Sequence, residues 1–395
     1  MYNLNKLSKD QLIHFIGIGG IGLSAIAELC KVNGYSVQGS DISENDMTKK
    51  LQDSNISIFI GHNSKNIQKN VQLVVYSSAI RDNNPELIAA KKANIPITSR
   101  ADILAQLMES KKCICVSGTH GKTTTTSMIS WVLSQGNHKP TSIIGGIDWH
   151  TQSNIQIGSS DWMVVEADES DKTFVKLPSK ISVITNIDYD HIENYGSIEK
   201  LKASFIEYAG NTQKDGYIIF CADDPITNKI SKDFPSEKLI SYGQSNNATL
   251  KITDIHNNFD SYKFIIDGEI NQKQFNIKIT INRPGMYNIY NATAALIVGI
   301  LRNIPQEVIQ SSLFSYGGVY RRFSEITHKN GITYYDDYAH HPTEICQLLS
   351  SAKNITSGRV ISIFQPHRYS RLLSLYKEFC LAFIDTNYLA LLPVY

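Results

Sequence analysis

Gly118-Thr119-His120-Gly121-Lys122-Thr123-Thr124-Thr125-Thr126 decides how the rest of the chain is read. An apolar β-type run, Cys113-Ile114-Cys115-Val116, precedes it, and a helical pattern through Met128, Ile129, Trp131, Val132 and Leu133 follows. Strand, glycine turn, Lys-Thr and helix is the layout of a phosphate-cradling loop. The glycines let backbone N–H groups converge on an anion, the helix N-terminus adds its dipole, and Lys122 adds a point charge. The Thr123 hydroxyl beside that lysine suits a Mg²⁺ ion. The loop is shorter than the full Walker pattern, because Val116 stands where GxxxxGK has its first glycine. A capped turn without a ligand is the bland alternative, and the flanking strand and helix weigh against it.

Upstream, Leu12 to Ile18 reads as a strand ending in Gly17-Ile18-Gly19-Gly20-Ile21-Gly22, followed by a helix through Leu23, Ile26, Ala27 and Leu29. A second strand, Tyr35 to Gln38, leads to Gly39-Ser40-Asp41. A tight glycine turn, a helix start for a pyrophosphate and an acid about twenty residues on form a Rossmann-like opening. The fingerprint suits any nucleotide diphosphate, NAD among them, but no hydride-transfer site accompanies it. Further strands at Ser57–Ile60, Leu73–Ile80 and Ile95–Thr98 predict a small parallel sheet of about a hundred residues. A helix opening at Arg100 follows, and Glu109 to Lys112 reads as a linker.

Downstream, the phosphate loop opens a second α/β unit with strands at Trp162–Val165, Ile181–Ile187 and Tyr217–Cys221. Two carboxylate-rich stretches end such strands, Glu166-Ala167-Asp168-Glu169-Ser170-Asp171 and Asp188-Tyr189-Asp190-His191. Ligands gather beyond the carboxyl ends of strands in doubly wound sheets, so Glu166 and His191 are candidates for a Mg-nucleotide site. Most of the other acids read as solvated loop residues, and His191 alone would more often be structural. Residues 248–282 alternate in short runs typical of antiparallel hairpins. Asn288 and Asn291 open an Ala-rich helix, where caps are the ordinary reading and an adenine edge the rarer one. The third section begins near Gly317 and holds Arg321-Arg322-Phe323, a strand Ile332–Tyr335, Asp336 to Glu344, and a strand Val360–Phe364 running into Gln365 to Arg371. Arg368 and Arg371 suit a carboxylate or phosphate as well as a helix surface. Leu389 to Tyr395 reads as a strand at which a doubly wound unit would be cut short, with an unpaired sheet edge and exposed apolar surface.

Composition excludes several classes. The 395 residues carry 38 basic and 37 acidic side chains, a net charge of +1, so neither a nucleic-acid nor a membrane footprint is present. No apolar run approaches the length of a membrane span, and the polar N-terminus has no signal-peptide pattern. Six scattered cysteines read as buried thiols of a cytoplasmic protein. Cys113 and Cys115, on one strand, are expected to face opposite sides of the sheet and so not to share a metal.

Seven motifs, HFIGIGGIGLSAIAE, VVYSSAI, SGTHGKTTTTSMI, VVEADESD, ITNIDYDH, DDYAHHPTEI and FQPHRYSR, run from residue 14 to residue 371. Together they resemble the ATP-dependent Mur ligases of peptidoglycan synthesis. The resemblance implies an α/β chain of three domains. These are a Rossmann-like UDP-sugar-binding domain (1–110), an ATP-binding central domain of P-loop type with a parallel sheet and a small antiparallel section (111–316), and an incomplete Rossmann-like C-terminal domain (317–395). It further implies amide-bond formation through an acyl phosphate, with UDP-N-acetylmuramate, L-alanine, ATP and Mg²⁺. FQPHRYSR points to L-alanine, whereas DDYAHHPTEI is shared with the muropeptide-recycling ligase of the family. A UDP-sugar- and ATP-binding protein with impaired catalysis is the other alternative. By resemblance, Gly17, Gly19, Gly20, Gly22, Asp41, Ser78 and Arg100 hold the UDP-sugar. Gly118, Thr119, His120, Gly121, Lys122, Thr123, Thr124, Asn288, Asn291, Arg322 and Asp337 hold ATP. Thr123, Glu166 and His191 are the metal ligands, and Tyr338, His340, Arg368 and Arg371 hold the amino acid. Lys122, Glu166, His191, His340 and Arg368 form the catalytic set. The chain departs from the family pattern at Tyr287 and Ala339, where histidine and glycine are usual.

Overall fold

The computed structural model describes residues 4, 8, 11–77, 79–234, 239–259 and 261–395. The first sheet holds β1 (Leu12–Ile16), β2 (Ser36–Asp41), β3 (Ser57–Ile60), β4 (Val71–Tyr76) and β5 (Ile97–Ser99). All pairs are parallel, in the order β3-β2-β1-β4-β5. Alternate residues of β1 enter different clusters, Ile13 and Phe15 on one face and Ile16 on the other, because helices cover both faces. The strand order reverses beside β1, so the glycine turn after it lies at the switch point where such sheets bind ligands. β1 stops two residues sooner than its apolar run, since Gly17 turns the chain at φ +79°.

The second sheet has ten strands. They are β6 (Lys112–Ser117), β7 (Thr141–Asp148), β8 (Ser153–Gln156), β9 (Trp162–Glu166), β10 (Ser179–Ile184), β11 (Thr212–Cys221), β12 (Leu239–Gly243), β13 (Leu250–Asn258), β14 (Ser261–Ile270) and β15 (Lys273–Ile281). Their order is β15-β14-β13-β12-β11-β10-β6-β9-β7-β8. β6, which carries the phosphate loop, is flanked by β9 and β10, so both carboxylate-rich strand ends fall beside that loop. The antiparallel strands β13–β15 are not a separate section. β13 joins β12 in parallel through Tyr242–Leu250 and Gly243–Lys251, which extends the same sheet. The reading of residues 113 and 115 is corrected: residues two apart on a strand share a face. Cys113 and Cys115 pack into one apolar cluster while Ile114 and Val116 enter another. Burial pushes the Cys113 thiol up to about 12 and Cys115 well above its ordinary range.

Helix Lys122–Gln135 begins with Thr123 to Thr126, poor helix formers, and is held by its buried face. Met128, Ile129, Val132 and Leu133 pack with Ile289, Ala292 and Leu296 of helix Met286–Leu301. At about 1.5–3 kcal/mol per buried side chain they outweigh the threonines' deficit of about 0.7 kcal/mol each at most.

The chain leaves this sheet through residues 316–320, which are strapped to the end of β7. Trp149 N–H donates to Gly318 O at 3.0 Å, Tyr320 N–H donates to Ile147 O at 2.9 Å, and Asp148 bridges Val319. Beyond the strap stand an antiparallel pair, β16 (Ser324–Lys329) and β17 (Ile332–Asp336), and a parallel pair, β18 (Ile361–Phe364) and β19 (Tyr388–Leu391). Helix Pro342–Asn354 covers a small core of Ile345, Leu349, Phe364 and Phe379. Ile361, Ile363, Leu389 and Leu391 are exposed on β18 and β19. No helix among the described residues is long and apolar enough to cross a membrane.

Candidate active site

The phosphate loop is sewn to the end of β10. Thr119 N–H donates to Asn186 O and His120 N–H to Asn186 Oδ1, both at 2.9 Å. Thr185 Oγ1 and Asn186 Nδ2 donate back to His120 O at 2.7 and 2.9 Å. Two glycines make this approach possible. Gly118 stands at φ +132°, where a Cβ would collide with the Thr185 hydroxyl, and Gly121 stands at φ +83° with Asn291 Oδ1 2.8 Å from a Cβ position. Gly121 is the residue before helix Lys122–Gln135, so the first N–H groups of that helix close the loop.

Lys122 folds over the loop. Its Nζ donates to Gly118 O at 2.7 Å and Thr119 O at 3.1 Å, and it pairs with Glu169 at 2.9 Å. Burial works against charge on both partners and lifts Glu169 to about 7 against the pull of Lys122, while Glu169, Asp168 and Glu166 hold the lysine above its ordinary value. Next to it, Thr123 Oγ1 donates to Glu166 Oε1 at 3.1 Å, and Gly145 N–H donates to Glu166 Oε2 at 2.8 Å. A hydroxyl and a carboxylate oxygen side by side at a phosphate loop suit a hard dication. His191, at φ +58°, has a buried Nδ1 without a hydrogen-bond partner. Burial pulls its imidazole below the usual histidine range, with the Asp190 carboxylate working the other way.

The third domain closes over the loop. Arg322 Nη2 donates to Thr123 Oγ1 at 3.4 Å. His120 lies between two carboxylates, Nε2 at 3.0 Å from Asp188 Oδ2 and Nδ1 at 3.2 Å from Glu344 Oε1. Burial alone would lower its pKa, but those two hydrogen bonds push it up to about 9. Thr343 Oγ1 also donates to Asp188 Oδ2, at 2.7 Å. Between the two domains lies a cavity of about 920 Å³. His120, Gly121, Thr124, Asn288, Asn291, Arg322 and Asp337 all line it. Asn288 and Asn291 are buried and joined to each other at 3.4 Å, and Asn291 also accepts from Thr125 Oγ1 at 3.0 Å. Asp337 accepts from Phe323 N–H and Ala339 N–H, both at 2.6 Å, and burial lifts its carboxyl to about 6 against the pull of Arg322.

The four residues assigned to the amino acid gather near Asp190 rather than in the cavity lining. Arg371 is buried and bidentate to Asp190, at 3.2 and 3.0 Å. Arg368, half-exposed at φ +69°, reaches Glu193 at 3.5 Å. His340 Nδ1 approaches Tyr338 O at 2.8 Å, and the two rings meet edge to face at 5.1 Å. Burial pulls His340 down to about 4, so it is neutral near pH 7.

The first domain's turn is held from within. Gly17 and Ile18 N–H donate to Ser40 O at 2.8 and 3.0 Å, and Gly19 N–H donates to Asp41 Oδ2 at 2.8 Å. Gly20 precedes helix Ile21–Val32, and Arg100 Nη1 lies 2.8 Å from where a Gly22 Cβ would stand. Arg100 also pairs with Asp168 and Asp171 of the central domain, both at 3.5 Å. Ser78 lies outside the described residues. Glu169, Asp188, Thr343 and Glu344 were not singled out by sequence reasoning, although all four sit inside motifs quoted for the resemblance; their partners come from distant loops.

Three family models match in succession: Mur ligase family, catalytic domain over residues 12–112; Mur ligase middle domain over 116–299; and Mur ligase, glutamate ligase domain over 321–390. The chain is 44% identical over 386 residues to a UDP-N-acetylmuramate–L-alanine ligase of Methylorubrum extorquens, covering 97% of this chain and 82% of that one. It is 42% identical over 389 residues to the enzyme of that name from Agrobacterium fabrum, with the same coverage. Its fold superposes on a UDP-N-acetylmuramate-alanine ligase of Thermotoga maritima with a TM-score of 0.85 and 32% identity, over 98% of this chain and 86% of that one. A murein peptide ligase of Psychrobacter arcticus shares the fold at a TM-score of 0.74 and 21% identity, over 97% and 91% of the two chains. With three family models in succession along the chain and a relative 44% identical over 97% of it, the chain belongs to the Mur ligase family.

Proposed function

We propose that this chain is the ATP-dependent ligase that joins L-alanine to UDP-N-acetylmuramate. The reaction class rests on one observation: a phosphate loop from the central domain and Arg322, Asp337 and Glu344 from the third face each other across one cavity. The substrate rests on the two relatives above that carry that activity in their names at 42–44% identity. The domain limits that fit this reading are 1–110, 111–316 and 317–395.

Within the proposal, the central domain binds ATP. Lys122 turns from Glu169 and the loop carbonyls toward the β- and γ-phosphates, where its charge offsets the charge that builds up in transfer. The backbone N–H groups of Gly118 to Thr124 and the helix start add fixed dipoles aimed at the same oxygens. Thr123 and Glu166 are suited by their adjacency to hold Mg²⁺, and the orphaned Nδ1 gives His191 a free lone pair for a second ion. Such ions, when bound, let carboxylate and γ-phosphate approach without mutual repulsion. Asn288 and Asn291 border the space assigned to adenine, and Arg322 and Asp337 reach the nucleotide from the third domain. Gly17, Gly19, Gly20, Gly22, Asp41 and Arg100 border the space assigned to the UDP-sugar. Phosphoryl transfer to the muramate carboxylate gives an acyl phosphate and ADP; the amine of L-alanine then displaces phosphate and forms the amide. Tyr338, neutral His340, Arg368 and Arg371 are assigned to the amino acid, which requires Arg371 to share or leave Asp190.

The test is phosphate release from Mg-ATP with UDP-N-acetylmuramate, adding L-alanine, glycine, serine or L-Ala-γ-D-Glu-diaminopimelate in turn. Release that requires both UDP-sugar and L-alanine supports the proposal. Release with the tripeptide alone would move the chain to muropeptide recycling, and tight UDP-sugar binding without release would make it a binding protein.

A further inference from the structure

His120, Asp188 and His341 each place one ligand-type atom within 4.8 Å of the other two, the group of this kind found among the described residues. Asp188 Oδ2 is the focus, with His120 Nε2 at 3.0 Å and His341 Nδ1 at 3.8 Å. The two imidazole centroids lie 4.8 Å apart. Around a four-coordinate ion with bonds of about 2.0–2.1 Å, neighbouring ligand atoms stand about 3.4 Å apart, so the His341 ring completes the spacing by turning and exchanging the Thr343 N–H that its Nδ1 caps at 3.3 Å for the ion.

The outward atoms of both rings are already committed. His120 Nδ1 faces Glu344 Oε1 at 3.2 Å, and His341 Nε2 faces Tyr189 O at 3.4 Å. A ligating histidine commonly gives its other N–H to a carboxylate or carbonyl in this way, which fixes ring and tautomer. Thr343 Oγ1 holds the third ligand, Asp188 Oδ2, at 2.7 Å. His341 is 3% exposed, yet His120 and Asp188 line the cavity, so an ion has both an entry path and room for a fourth ligand.

We infer that His120, Asp188 and His341 form a binding site for a borderline-soft divalent ion, Zn²⁺ or Co²⁺, distinct from the hard-ion position beside Thr123 and Glu166. Two neutral imidazoles and one carboxylate suit zinc, whereas magnesium prefers oxygen ligands and retained water. Its ligands come from the phosphate loop, the end of β10 and the start of helix Pro342–Asn354, so the ion ties the central domain to the third. Nothing in this site requires the ligase reading to hold.

The experiment is a Co²⁺ titration of the full chain at about pH 8, with Mg²⁺ in excess, followed by visible absorption. One equivalent should give the bands of a tetrahedral N/O site without the thiolate charge-transfer bands that Cys380 or Cys346 would produce, and Zn²⁺ should bleach them. His341→Ala should abolish the bands, and Glu344→Gln should weaken binding by about 10–100-fold, the usual effect of an outer-shell partner. Asp188→Asn, which keeps the side chain's shape, provides an independent loss of a ligand, and thermal unfolding without metal shows which variants fold. No bands in the native chain, thiolate bands, or bands that survive in either folded ligand variant would overturn the site. Loss of ligase activity with Co²⁺ binding intact would leave it standing.

Discussion

The turns after β1 and β6 share one construction, a buried parallel strand, a glycine-rich bend and a helix start, but the chain holds them in different ways. The first is fastened almost locally: Ser40 and Asp41, at the end of the neighbouring strand, accept three of its N–H groups. Within its own domain the second is sewn to Thr185 and Asn186, and its side chains then reach across to Glu344, 224 positions away, and to Arg322, 199 positions away. The N–H groups of the first turn are set within one domain, although its Ile21 carbonyl also accepts from Asn154 of the central domain. A turn whose side chains are shared between domains senses their arrangement. Under the proposed function, the contrast assigns substrate holding to the first turn and commitment to chemistry to the second.

The comparison breaks most visibly at Lys122. Lys122→Ala should lower L-alanine-dependent phosphate release by about 10³-fold, the scale on which a lost charge at a transferring phosphoryl group is felt, while UDP-sugar binding stays unchanged. Stopped assays for phosphate together with calorimetry for UDP-sugar check both halves, and a matching fall in UDP-sugar affinity would show the two turns to be one unit. Arg371→Ala removes the bidentate partner of the largely buried Asp190 and leaves it only its His191 contacts, so it should destabilise the third domain's attachment by about 3 kcal/mol. Protease cleavage after residue 320 should rise accordingly; unchanged cleavage would mean the clasp holds without that pair. Asp41→Asn weakens one charge-assisted hydrogen bond, to Gly19 N–H, and should raise the KM for the UDP-sugar by about tenfold with the KM for ATP unaltered. The smallest effect is expected from pH. His120 is raised from 6.5 to about 9, while Asp188 and Glu344 are both held below their ordinary values and stay anionic throughout. The attraction is therefore fully present below about 6.5 and lost as pH rises through about 9. With chelator present, protease sensitivity of the third domain should increase over that window, and His120→Gln should flatten the change.

Much of the first domain was readable because its determinants are local. The apolar β1, the glycine bend and Asp41 lie within thirty residues and form one unit. The central sheet was read less fully. β7 contains Gly145-Gly146 and lacks a clean apolar alternation, and β12 is five residues long, so neither announced itself. β13 to β15 showed their antiparallel alternation, but the two residue pairs that join β13 to β12 depend on tertiary packing. Cys113 and Cys115 share a face because a strand repeats every two residues, so their common environment follows from strand geometry and needs no tertiary information. At the site, sequence spacing brought Lys122, Thr123 and Glu166 forward because each stands at a strand or helix end. Glu169, Asp188 and Glu344 gain their meaning from partners 47, 68 and 224 positions away, which no local pattern encodes.

The strap that pins residues 318–320 to the end of β7 has a mechanical consequence. With Gly318, Val319 and Tyr320 fixed, the chain passes into the third domain through the backbone of Arg321 to Phe323. Arg321 and Phe323 stand at φ +61° and +49°, a region that costs a non-glycine residue about 1–2 kcal/mol. Tyr338 N–H donates to Arg321 O at 2.8 Å and Phe323 N–H donates to Asp337 at 2.6 Å, so the third domain itself holds this bend, and the chain enters that domain at a preset angle.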